Sequence, residues 1–189
     1  MLIANPIYDT VFKFLMDDLR VAKVIISTII EEEVETLAFS PRERSSSINS
    51  LGVTVFRLDF AATVKTATGQ RKNVLIEVQK ADGGDDLPRF RRYLAENYYE
   101  PAAKPQSSEN AAGGESTSDD EPILPIISIY ILGFPLKNLK GHSAVKIKRD
   151  YYDAVTGEKM HEREDFIESL THDSFVIQLS ELRRRRRNK

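Results

Sequence analysis

The chain has 189 residues, 41% of them apolar, which suits one domain with a real core, with or without an appendage. No run approaches the roughly 18 apolar residues of a membrane helix, no secretion signal opens the chain, and the lack of cysteine removes disulfides, thiolate metal sites and thiol nucleophiles. Net charge is -2, but six of the 27 basic residues lie in Arg183–Lys189, so the remaining body is acidic and any nucleic-acid partner must meet positive charge gathered on one face or arm. A cytoplasmic protein without membrane contact is the expectation.

Asp9 to about Met16 has helical spacing in Val11, Phe12 and Leu15, with Asp9 or Thr10 as cap. A second helix is predicted from about Leu19 to Ile30, with Val21, Ala22, Ile25, Ile26, Ile29 and Ile30 as its apolar stripe, before the solvated Glu31–Glu33. Pro41–Ser50 is polar and turn-like, hence a loop. A β-hairpin follows. In Val55–Thr66 the apolar Phe56, Leu58, Phe60, Ala62 and Val64 alternate with Arg57, Asp59, Ala61, Thr63 and Lys65, the period of two that buries one face. In Asn73–Lys80, Val74, Ile76 and Val78 share one face, and Leu75, Glu77 and Gln79 the other. Gly69 suits the positive-φ last position of a three-residue loop Ala67-Thr68-Gly69. That loop sets Thr66 against Gln70 and therefore Asp59 directly opposite Glu77, a separation of about 4.5–5.5 Å between Cβ atoms.

A third helix is predicted over Asp85–Tyr99, with Pro88 in its first turn, Leu87, Phe90, Leu94 and Tyr98 facing inward, and Arg89, Arg92 and Glu96 on a neighbouring face. Glu100–Glu121 has no apolar periodicity and reads as a flexible insertion. The β-branched run Ile123–Phe134 predicts a strand buried on both faces in the middle of a sheet. Ala144–Asp153 and Glu158–Glu162 suggest another hairpin around Val155-Thr156-Gly157, and Phe175–Leu179 a last short strand.

The acidic pair carries the chemistry. Like charges directly opposed across strands repel, and a divalent cation between them removes the repulsion. Mg²⁺ commonly takes one or two carboxylates with water and phosphate oxygens. Gln79, two residues after Glu77, points the same way and can position water or a phosphate through its amide.

Leu58-Asp59-Phe60 followed by Ile76-Glu77-Val78-Gln79 resembles the D…ExQ variant of the PD-(D/E)XK nuclease motif. With Tyr8–Leu15, Arg89–Tyr99 and Leu124–Phe134, in that order, it is similar more narrowly to the recombination-promoting nuclease family of transposase-like proteins, across most of Asn5–Leu182. The resemblance implies a restriction-endonuclease-like α/β fold, a mixed sheet flanked by helices, over residues 1–182. It also implies Mg²⁺-dependent DNA endonuclease activity, with Mn²⁺ as a substitute and a link to mobile-element recombination. Asp59 and Glu77 would be the metal ligands. Gln79 takes the slot of the superfamily's lysine, a departure, since a neutral amide is neither a cationic electrophile nor an amine base. Asp9 matches an acidic position in the family's first helix and would complete the site. Related chains continue into further helices, so the basic tail Arg183–Lys189 reads as the start of a truncated region.

Each assignment has a plainer rival. Asp59 and Glu77 can be solvent-facing residues paired with Arg57 and Lys65. Asp9 can be a helix cap pairing with Lys13. Arg89, Arg92 and the run Arg183–Arg187 can grip DNA phosphates or simply solvate their surfaces, and Tyr93 and Tyr98 read as core. Two further functions stand beside the endonuclease: an inactive nuclease-fold protein that binds DNA or a protein partner, and an interaction module whose acidic pair is only structural. The sequence sets no oligomeric state and leaves a homodimer open.

Overall fold

The structure is a computed structural model that describes residues 9–40, 56–66, 68–81, 83, 87–99 and 124–182. Two helices open it, α1 (Asp9–Asp17) and α2 (Leu19–Ile30), followed by strand β1 (Glu33–Phe39). The hairpin β2 (Phe56–Lys65) and β3 (Arg71–Ala81) leads to α3 (Leu87–Tyr99) and β4 (Ile126–Leu132). The last part holds β5 (Ala144–Ile147), β6 (Tyr151–Tyr152), β7 (Lys159–Met160), α4 (Asp165–Leu170) and β8 (His172–Gln178).

Six strands form one mixed sheet in the order β1-β2-β3-β4-β8-β5, and β6 and β7 form a separate ribbon. The β1–β2, β2–β3 and β5–β8 pairs are antiparallel, whereas β3–β4 and β4–β8 are parallel. A parallel pair needs a crossover, and α3 lies on the one between β3 and β4. The chain is therefore a mixed α/β protein with a six-stranded mixed sheet flanked by helices. Among the described residues, no helix is long and apolar enough to cross a membrane.

One sheet face is largely apolar, with Lys80 of β3 buried at its end. Leu58, Phe60, Ala62 and Val64 of β2, Val74, Ile76 and Val78 of β3, and Ile127, Ile129 and Ile131 of β4 bury there against Phe12 and Met16 of α1 and Ala22, Ile26 and Ile30 of α2. The α2 start is capped by Asp18, whose carboxylate accepts the Arg20 backbone N–H at 2.9 Å. The other face is interrupted. Leu75, Leu124 and Ile126, with Leu94 of α3, form one small cluster; Ala81, Phe90 and Leu132, with Tyr130 and Val176, form a second.

The hairpin has the expected register: Thr66 bonds Gln70, Gly69 has φ +83°, and Asp59 pairs with Glu77. β4 is central and buried on both faces as predicted. Three expectations need correction, and one element stands where none was predicted. Glu33 belongs to a strand, β1, which a register shift between Val34 and Thr36 hides by breaking the period of two. Residues 144–153 are not one strand: β5 joins the main sheet beside β8, and only β6 forms the small hairpin with β7. The six-residue α4 was not foreseen, because its Phe166, Ile167 and Leu170 are exposed rather than set in a buried stripe. On α3, Leu87 and Tyr98 are exposed, and Asn97 is buried instead. Pro41–Ser50, the insertion Glu100–Glu121 and the tail Arg183–Lys189 lie outside the described residues.

Candidate functional site

Strand pairing fixes the site. Across β2, β3, β4 and β8 the residues Asp59, Glu77, Ser128 and Ser174 lie directly side by side. The next row reads Arg57, Gln79, Tyr130 and Val176. Asp59 is 2% exposed, and Glu77, Gln79 and Ser128 are at 0%. The pair is therefore not a solvated surface feature. Lys65 does not serve it either, since its ammonium lies 3.8 Å from Glu33.

Arg57 reaches into this floor. Its Nη2 lies 2.5 Å from Asp59 Oδ2, and its Nε lies 3.8 Å from Glu77 Oε1. From the other side α3 grips the same guanidinium. Nη1 donates to Glu96 Oε2 at 2.8 Å, Nη2 donates to Asn97 Oδ1 at 2.9 Å, and the group stacks 4.7 Å over the Tyr93 ring. Gln79 Nε2 donates to Glu77 Oε1.

Burial pushes the Glu77 carboxyl up to about 8, and the Asp59 charge adds to the rise; Arg57, Gln79 and Asn97 pull the other way without cancelling it. Burial thus favours the neutral form of Glu77, next to the Arg57–Asp59 ion pair. Three oxygens of the floor, Asp59 Oδ1, Glu77 Oε2 and Gln79 Oε1, are buried with no hydrogen-bond partner, as is Arg57 Nε. Buried polar atoms are ordinarily paired, so these mark an incomplete constellation. Oxygen-only donors suit a hard cation such as Mg²⁺. Among the described residues no group of three or more His, Cys, Asp or Glu could hold a metal. The unpaired oxygens gathered here come from two carboxylates and one amide.

The structure brings Asp59, Glu77 and Gln79 together. It assigns Asp9 to the first residue of α1, whose Phe12 and Met16 pack on the opposite, apolar face; the Asp9 side chain is not among the described ones. Arg89 is half-buried and Arg92 exposed on α3. Tyr98 and His172, which carried no assignment as a pair, share a 2.8 Å hydrogen bond from α3 to β8. Burial, with the nearby Arg149, lowers the His172 pKa.

Arg57, expected as a partner of the acids on a solvated face, does pair with Asp59, but in a buried setting. Two neighbours escaped the sequence as members of the site. Ser128 is the one serine inside the apolar run of β4, which marks a polar neighbour across the sheet. Asn97 gave no signal, because only the docking of α3 turns it inward.

Fold and site together define a class: a mixed α/β protein with a buried cross-strand carboxylate pair beneath a crossover helix. Compared with models of known protein families and with curated proteins, the chain matches none.

Proposed function

We propose that this protein is a metal-dependent DNA endonuclease with a restriction-endonuclease-like fold, hydrolysing phosphodiester bonds at the Asp59–Glu77 site. The observation that carries the reading is the buried carboxylate pair with three unpartnered oxygens on one sheet face. Mg²⁺, or Mn²⁺ in its place, would be held by Asp59 and Glu77, with Gln79 beside them. Such an ion supplies charge neutralisation at a phosphoryl oxygen and acidifies water for attack. Gln79 then orients water or a phosphate oxygen through its amide, the Nε2 of which now donates to Glu77. Arg89 and Arg92 on α3 offer positive charge to the DNA backbone. Mobile-element recombination is the context that the motif resemblance suggests.

A specific observation favours a second reading, an inactive nuclease-fold protein that binds DNA or a protein partner. The Arg57–Asp59 ion pair and a protonated Glu77 already balance the site's charge without a divalent ion.

Plasmid nicking by the purified chain separates the two. Asp59→Ala and Glu77→Ala should each abolish Mg²⁺-dependent nicking, whereas Gln79→Ala should slow it and Gln79→Lys retain it. A wild-type chain that leaves DNA intact with every divalent metal favours the second reading. Variants that cut as well as wild type would place the activity elsewhere.

A further inference from the structure

We propose that Arg57 is the resident cation of this site: its guanidinium holds a divalent ion's place between Asp59 and Glu77, and Glu96, Asn97 and Tyr93 of α3 form the seat to which it withdraws when such an ion binds. The proposal rests on the metal reading of the site.

The two halves of the Arg57 contact set are unequally matched. Toward α3 the guanidinium itself is well held, with hydrogen bonds of 2.8 Å to Glu96 and 2.9 Å to Asn97 and the planar face over Tyr93, although Asn97 Nδ2 stays unpaired. Toward the floor it is not. One ion pair reaches Asp59 at 2.5 Å, the Glu77 carboxyl stays at 3.8 Å, and Nε finds no partner. Asp59 Oδ1, Glu77 Oε2 and Gln79 Oε1 also stay unpaired. A planar fork suits a carboxylate approached edge-on. It cannot serve all three unpaired oxygens, which stand on two strands, whereas a compact ion with its water ligands can.

Charge makes the two occupants exclusive. A guanidinium in contact with Asp59 and a dication held by the same carboxylate repel strongly at such a distance inside a protein. Binding of the ion therefore requires Arg57 to release Asp59. The side chain need not leave the protein to do so, because Glu96 neutralises it at the rim, where its own carboxylate is 52% exposed. Arg57 acts through Asp59 and Glu77, so it is a positioning residue that sets how readily the site takes metal.

The test is Mn²⁺ binding to the full chain by titration calorimetry, without DNA. Arg57→Gln should bind Mn²⁺ at least about tenfold tighter than wild type, since a competing unit charge is gone. Glu96→Gln changes a rim residue that touches Arg57, and it should bind severalfold more weakly, because the guanidinium loses its outer counter-charge. Binding seen in Arg57→Gln but not in wild type is the same result at its limit. If wild type binds Mn²⁺ and Arg57→Gln binds equally or more weakly, the proposal is overturned and the metal reading stands. If wild type, Arg57→Gln and Asp59→Asn all fail to bind, the metal reading falls and takes this one with it. Should Arg57→Gln not fold by circular dichroism, Glu96→Gln decides: weaker binding supports the competition, and unchanged or tighter binding overturns it.

Discussion

The two faces of the central sheet are built from the same strands, yet they follow different rules. On the α1–α2 face β2, β3 and β4 supply an almost continuous apolar layer, with Lys80 of β3 the buried charged residue at its end. On the α3 face two small apolar clusters flank a buried row of Asp59, Glu77 and Ser128, where oxygens lack partners. The first face follows the logic of stability, in which burial of apolar area is the main favourable term. The second departs from it: Glu77 sits where its ionised form is penalised by burial and by Asp59. Such a departure is expected where a site needs chemistry that a packed core cannot give. Placing both on one sheet lets the first face carry the cost of the second.

The largest test of that contrast is Phe60→Ala. Phe60 is fully buried against the apolar layer, its ring 5.0 Å from that of Phe39. Truncation should cost about 3–5 kcal/mol in urea unfolding. A loss below about 1 kcal/mol would mean that this face is not the one that holds the fold.

Glu77→Gln should do the opposite in chelator-treated protein. The Glu77 carboxyl, raised from 4.5 to about 8, keeps a proton that the unfolded chain has lost between those values. Its contribution to stability is therefore full below 4.5 and falls as pH rises to about 8. The variant lacks this titration, so its stability relative to wild type should climb across the same window and level off above it. The gain should reach a few kcal/mol. A difference that stays flat from pH 5 to 9 in paired urea titrations would show that Glu77 ionises normally.

Gly69→Ala sharpens the comparison by loosening what assigns residues to faces. Gly69 has φ +83° with no atom within 4 Å of an added Cβ, so only backbone strain is at stake. The expected loss is about 1 kcal/mol with the cross-strand register kept, measured by thermal unfolding and by backbone amide exchange in β2 and β3. The smallest effect is expected from Tyr98→Phe, which removes the bond from α3 to His172. It should cost about 0.5–1.5 kcal/mol; a larger loss would make α3 held by polar rather than apolar contacts.

The sequence by itself determined the hairpin, its register and the Asp59–Glu77 opposition, because a period of two and a positive-φ glycine are local properties that no distant contact needs to supply. It also determined the double-sided burial of β4, since a continuous β-branched run has no polar face to offer. Strand β1 escaped because its bulge breaks that period at Val34 and Thr36, and α4 because its apolar residues stay exposed. Only the tertiary structure decided the environment of the acids. Whether Asp59 and Glu77 faced water or a covering helix depended on α3 returning over the sheet to bury Asn97 and clamp Arg57. That packing sets one ion pair beside a carboxyl whose pKa burial raises. Burial and charge coupling are properties of the assembled layers, so no pattern along the chain could state them.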